Sequence, residues 1–403
     1  MNQVLNADAS ITNRIVRETG AVIIGGHFQG LGIIRSLGSQ GIPLCLLDWD
    51  FCIGRFSRYP KKFFRCPAIR QEHLFFEFLK DIAKRESLEG WVIYPVDDET
   101  VDFLSRHKHQ LEKYYRIPTP IWEITRFASH KKLTYQLAEK FDIAIPHTFY
   151  PENIRELENL KIEFPVILKP SIKEPFYSLT KKKAIRVDNC SELISRFKWA
   201  KAIYPPVELM VQEMIPGGPD NLFSVGSFFK NGQFLGKVVA RRIRQHPMDF
   251  GHATTYAVTV KIPELEKITR MLLQAIGYYG LSEAEFMLDK RDGQFKLIEI
   301  NPRTWGWHTL AIRAGVDLPY LLFQDMVGNS IHVDEFVENI KWFHLITDIP
   351  TALGEIRRGK LKFSEYFQSL GGRKSDAVWC LNDPLPFVIE ILSAPYLWIK
   401  RGF

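Results

Sequence analysis

EAEFMLDKRDGQFKLIEINPR, residues 283–303, is the stretch on which the fold turns. Two runs rich in apolar residues flank Lys290-Arg291-Asp292-Gly293, a turn whose closing glycine suits the left-handed position of a bulged type I turn and leaves a three-residue loop. Residue 290 then faces 294. Counting back sets Glu285 opposite Glu299, and Asn301, two residues on, shares their face because strand side chains alternate. Like charges directly opposite each other destabilise a strand pair, so a cation is expected between them. Hard oxygen donors favour Mg²⁺. Against this stands a plainer reading, in which one glutamate is solvated or pairs with an arginine such as Arg303.

Upstream of the hairpin, two lysines stand in awkward places. Lys169 ends the β-rich run FPVILKP (164–170), and Lys131 falls in the first turn of a helix read as capped by Ser129, where a cation opposes the helix dipole. A bound phosphate reverses that cost, and a solvated side chain is the alternative for each. Lys230-Asn231-Gly232-Gln233, between FSVGSFF and FLGKVVARRI, signals another hairpin. The first 120 residues have a different grammar. AVII (21–24), GGHFQGLG, IIRSLGSQ and IPLCLLD spell strand, glycine turn, helix and strand, and WVIYPVDD (91–98) repeats strand and acidic turn, which predicts a Rossmann-like half-domain. The fold class expected is α/β plus α+β, changing near residues 120–130. Past about residue 330 the chain reads as helical and rich in loops.

The ordered series SHKK (129–132), FPVILKP (164–170), VQEMIPGGPD (211–220), EAEFMLD (283–289) and LIEINPR (297–303) resembles the ATP-grasp superfamily. Within it, the series is similar to the carbamoyl-phosphate-synthase-like group of predicted carboligases that includes carboxylate-amine ligases. The resemblance implies a Rossmann-like pre-ATP-grasp domain over 1–125, an ATP-grasp region over 126–330, and a helical extension over 331–403 packing on the grasp. It implies that Lys131 and Lys169 hold the nucleotide phosphates, that Glu213, Met214 and Ile215 form the hinge meeting adenine through backbone groups, and that Asp220 takes the ribose hydroxyls. Glu285, Glu299 and Asn301 are then the Mg²⁺ ligands, with Mn²⁺ as a substitute ion. Arg303 faces the transferred phosphoryl group, and Arg244 resembles a substrate-facing arginine of the group, with a surface strand arginine as the alternative. The chain departs from the pattern in the stretch SIKEPFYSLTKKKAIRV (171–187), which has no glycine where many grasp enzymes cover the phosphates with a glycine-rich loop. Lys183 is the expected contact there.

Such a set suits one chemistry. A carboxylate becomes reactive toward an amine once its oxygen is made a leaving group by attack on the γ-phosphate of ATP, and that step needs positioning and charge stabilisation more than a nucleophilic side chain. No G-x-S-x-G elbow or recognisable cysteine motif is present. The expected partners are a small-molecule or glycan-linked carboxylate and an amine or amino acid, in a chain compatible with a homodimer.

Composition narrows the alternatives. With 53 basic and 46 acidic residues the net charge is +7, a mild excess without any nucleic-acid module, so no nucleic acid is expected. Five cysteines in no metal or redox spacing suggest reduced thiols and a cytoplasmic location. The opening residues have no apolar core of a signal peptide. PFVIEILSAPYLWIKRGF (386–403) reads as a packed helix in preference to a membrane-surface anchor. Three rival functions remain. GGHFQGLG with Asp48 ending the next strand invites an NAD-dependent oxidoreductase, although the glycine spacing does not fit; the others are a bicarbonate-phosphorylating carboligase and an inactive nucleotide-binding scaffold.

Overall fold

Strands that are apolar on both faces need cover on both faces, and the first third of the chain provides it. In the computed structural model, which describes residues 19–172, 176–248, 251 and 253–401, strands β1 (Ala21–Ile24), β2 (Leu44–Asp48), β3 (Lys62–Arg65), β4 (Trp91–Pro95) and β5 (Tyr115–Arg116) form a parallel sheet in the order β3-β2-β1-β4-β5. Ile23 and Leu46 pack toward the helix Phe28–Ser39 and a core shared with the rest of the chain, whereas Ile24 and Leu47 pack toward the helices Glu72–Arg85 and Asp98–Arg106. The opening residues read as lacking a signal sequence lie outside the described residues, as do 173–175 of the glycine-free stretch.

The glycine turn after β1 serves packing. A Cβ on Gly30 would lie 1.9 Å from the carbonyl oxygen of Gly25, so the helix can enter this close only as glycine. Asp48, 2% exposed, accepts from the amides of Gly26 at 2.7 Å and Asp50 at 2.9 Å. Its carboxylate is engaged by the glycine turn after β1 and by the loop after β2. This removes the structural basis for the oxidoreductase reading.

A small lobe follows. Strands β6 (Thr148–Phe149), β7 (Val166–Pro170), β8 (Ile185–Val187) and β9 (Leu209–Glu213) pair antiparallel in the order β6-β9-β7-β8. Leu168, Val187 and Val211 share a separate core with Leu193 and Phe197 of the helix Cys190–Ile203.

The large lobe is a seven-stranded sheet. It comprises β10 (Leu222–Lys230), β11 (Gln233–His246), β12 (Ala253–Thr259), β13 (Gly280–Asp289), β14 (Gln294–Asn301), β15 (Lys341–Phe343) and β16 (Lys374–Asp376), ordered β14-β13-β10-β11-β12-β15-β16. The β10–β11 turn is the two-residue Asn231-Gly232 connection expected, with φ of 50° and 78°. The segment after residue 330 is not purely helical, because β15 and β16 extend this sheet. Nor does it pack on the grasp alone. Asp383 takes a 2.9 Å bond from Arg35 Nε and bonds from Ser57 Oγ and the Arg58 amide, fastening the segment to the first domain.

The β13–β14 hairpin reaches the expected pairing by an unexpected route. Asp289 pairs with Gln294, so the loop Lys290 to Gly293 has four residues, and the register down to Phe286 and Leu297 is one residue off the count made above. Ile298 is then an extra residue on β14, and the bulge restores Glu285 opposite Glu299 and sets Glu283 opposite Asn301. The Ile298 carbonyl accepts from Tyr135 Oη at 2.7 Å, and that hydroxyl in turn accepts from Gln212 Nε2 at 3.2 Å. One buried phenol thus ties the helix Lys131–Lys140 to β9 and β14.

Tyr135→Phe keeps the ring and strips the hydroxyl, leaving the Ile298 carbonyl and the Gln212 amide without this partner. The variant is expected to lose about 1–3 kcal/mol in urea unfolding, and an unchanged midpoint would show that the bulge holds without it.

Candidate active site

The cluster begins with the facing carboxylates. Glu285 and Glu299 do not share one cation here; each meets its own. Glu285 Oε2 lies 3.1 Å from Arg242 Nη2 of β11, and Glu299 Oε2 lies 2.6 Å from Lys131 Nζ. Asn301 completes the face by donating Nδ2 to Glu285 Oε1 and to Glu283 Oε2, both at 3.1 Å. Arg303 donates Nη2 to Asn301 Oδ1 at 3.3 Å and forms a two-pronged pair with Asp98, at 2.5 Å and 3.0 Å. Asp98 opens a helix of the first domain, so this pair joins that domain to the cluster.

The lysines converge on Glu299. Lys131 is the first residue of its helix, whose N-cap is His130 without a side-chain capping bond. Ser129 is not the cap. It ends the preceding helix Trp122–Ser129 and donates to Asp102 Oδ1 at 3.2 Å, because the two helices abut with a single residue between them. Lys169 is 8% exposed, with Nζ 3.5 Å from Tyr135 Oη. Burial, followed by the charge of Lys131, pushes its ammonium down to about 7. Lys183 donates to the Gly251 carbonyl at 2.9 Å, bringing the glycine-free stretch against the large lobe. Burial alone raises the Glu299 carboxyl, but the charges of Lys131, Lys183 and Lys169 outweigh it and hold the group well below the usual carboxylate range.

The remaining expected residues lie apart from this knot. Glu213, ending β9, accepts from Lys296 Nζ at 2.9 Å and from Arg291 Nη2 at 2.7 Å, and both of those cations also bind the buried Asp289. The hinge is therefore clamped to the hairpin. Met214 and Ile215 follow the strand, with Ile215 buried. Asp220, in the short 3-10 turn Pro219–Asn221, pairs with Arg241 at 3.1 Å. Arg244 is neither on the surface nor bonded to the carboxylate cluster. It is 5% exposed, gives Nε and Nη2 to Asp348 at 2.9 Å and 2.8 Å, and lies among the rings of Tyr256, Phe343 and Tyr366. A bulge between Arg242 and Arg244 breaks the alternation there and turns the two arginines to different partners.

Four participants escaped the sequence reading. Glu283 was within reach of it, since the register that pairs 285 with 299 also pairs 283 with Asn301; its carboxyl, bonded to Trp307 Nε1 at 2.9 Å, is pushed up to about 8 by burial and the neighbouring Glu285. Arg242, Asp98 and Tyr135 carry no local signal, because other elements bring them in.

ATP and Mg²⁺ are what this arrangement implies, and the side chains fit them. Lys169 is a buried amine that an anion would keep charged, and Glu285 and Glu299 offer carboxylate oxygens on one face, with the Asn301 amide beside them and its oxygen toward Arg303. Among the described residues no three Asp, Glu, His or Cys side chains form a ready metal cage. The facing carboxylates Glu285 and Glu299 suit Mg²⁺, which takes one or two carboxylates and completes its shell with phosphate oxygens and water.

Comparison with known proteins agrees. Residues 259–335 match the family described as carbamoyl-phosphate synthase L chain, ATP binding domain. The D-aspartate ligase of Enterococcus faecium (strain Aus0004) is 25% identical over 288 residues, covering 66% of this chain and 67% of that one. Among solved structures, the L-amino acid ligase from Bacillus licheniformis superposes with a TM-score of 0.60 at 15% identity, covering 78% of this chain and 75% of that one. The N5-carboxyaminoimidazole synthetase of Staphylococcus aureus does so with a TM-score of 0.63 at 15% identity, covering 84% and 86%. With its three sheets and these structural matches, the chain has the ATP-grasp fold.

Proposed function

We propose that this chain is an ATP-dependent, ADP-forming ligase that activates a carboxylate as an acyl phosphate and joins it to an amine, one of the two substrates being an amino acid. The observation that carries the reading is the single knot of Glu285, Glu299, Asn301, Lys131, Lys169 and Arg303. When bound, ATP with Mg²⁺ supplies the γ-phosphoryl group that the carboxylate oxygen attacks.

Each side chain then has a task. Glu285, Glu299 and Asn301 would hold the metal, releasing Arg242 and Lys131 from their present pairs. Lys131 and Lys169, with Lys183, would meet phosphate oxygens. The backbone from Glu213 to Ile215 would meet adenine at a hinge fixed by Lys296 and Arg291, and Asp220 would meet the ribose. Arg303, held by Asp98, would stabilise charge on the phosphoryl group in transit. Arg242, beside Glu285, takes the substrate-facing role expected of Arg244, whose guanidinium is enclosed against Asp348.

The decisive experiment labels the carboxylate with heavy oxygen. Label recovered in inorganic phosphate, with ADP as coproduct, is expected; stoichiometric AMP and pyrophosphate would overturn the acyl-phosphate route. Glu299→Gln should abolish turnover, a loss of about a thousandfold or more for a phosphoryl-transfer site lacking a metal ligand. It should also cost some stability, because Lys131 loses its carboxylate.

Lys169 gives a pH-dependent readout. Held near 7 without an anion, it is largely neutral at pH 8, and phosphate oxygens beside it restore the charged form. Nucleotide binding should take up close to one proton at pH 8 and almost none at pH 6. Calorimetry in buffers of different ionisation enthalpy measures this, and Lys169→Met should remove it.

A further inference from the structure

The exposed apolar surface of this protein is concentrated in one C-terminal segment. Among the described residues, 10 of the 17 large apolar side chains standing exposed fall within 345–392, which makes this segment the candidate contact surface. The helix Leu385–Arg401 is turned unusually. Its inward side carries Phe387, Glu390 and Ala394, with Glu390 buried at 3% exposure and bonded to His344 Nε2 at 3.1 Å. Its outward stripe is Leu385, Val388, Ile391 and Leu392, at helical spacing, with Leu392 73% exposed. On the helix Phe363–Ser369, Phe363 and Phe367 are also exposed, their rings 4.7 Å apart.

Charge identifies what covers this surface. Asp348, Glu355, Asp383 and Glu390 of the segment are all buried. The exposed charges up to residue 395 are Arg357, Arg358, Lys360, Lys362, Arg373 and Lys374, against the single acid Glu365. Lys400 and Arg401 end the helix in sequence. A segment that exposes apolar residues and cations together matches an interface of acyl chains and anionic headgroups. They suit a second copy of this chain poorly, since a symmetric contact through the same patch would bring the two basic clusters together. A span is not at issue, because no helix among the described residues is long and apolar enough to cross a membrane.

We propose that residues 357–395 seat this protein on an anionic membrane surface, with Leu385, Val388, Ile391 and Leu392 in the acyl boundary and the basic residues at the headgroups. This proposal does not depend on the ligase reading. The test is flotation of the full chain with vesicles of phosphatidylcholine, with and without phosphatidylglycerol. Wild type should float with the anionic vesicles, more weakly as salt rises, and little with the neutral ones. Ile391→Glu with Leu392→Glu should weaken binding about tenfold or more, and Lys360→Glu with Lys362→Glu about fivefold or more. Both pairs are solvent-facing, so unfolding midpoints and Mg-ATP binding should match wild type and show an intact fold. Wild type left unfloated by anionic vesicles, an Ile391/Leu392 variant that floats equally well, or dimerisation through these residues in place of vesicle binding would each overturn the proposal.

Discussion

Two carboxylates placed opposite each other on a strand pair are the condition to which the rest of this site answers. Left alone, Glu285 and Glu299 would strain the hairpin they stand on. The fold meets that strain with side chains from different places: Arg242 from β11, Lys131 from a helix start, and the Asn301 amide between Glu283 and Glu285. Burial and the neighbouring Glu285 push the Glu283 carboxyl up to about 8. In the proposed function, Arg242 and Lys131 hold the place that a divalent ion would take.

A complementary excess sits a few ångströms away. Burial and then the charge of Lys131 push Lys169 down to about 7, and the charges of Lys131, Lys183 and Lys169 outweigh burial to keep Glu299 well below the usual carboxylate range. Carboxylates in excess on the hairpin and ammonium groups in excess beside it form a dipolar cleft that suits a metal and a phosphate chain together. Neither half is comfortable without a counter-charge, which is how a binding site differs from a set of surface ion pairs.

Much of this was legible in the sequence, and the rest was hidden for definable reasons. The parallel first sheet could be read because strands buried on both faces leave unbroken apolar runs such as LCLLD. The facing of Glu285 and Glu299 was reached through a loop one residue too short and without the bulge at Ile298, two errors that cancel. β15 and β16 are three residues each, too short for periodicity to register. Ser129 looked like a cap because a serine before a helix usually is one, and nothing local reveals that another helix ends there. Arg242 and Arg244 are indistinguishable in RRIR until the bulge separates them, and Asp98 needs the packing of one domain on another.

The bulge also divides the hairpin into two mechanical parts. Toward the tip, from Phe286 and Leu297 to Gly293, alignment follows from loop length; toward the base, it is set by the extra residue and the phenol that holds its carbonyl. The tip has its own task, because Arg291 and Lys296 there hold Glu213 at the end of β9. A change of loop length would therefore be felt at the hinge, through Arg291, even where the bulge kept the carboxylates aligned.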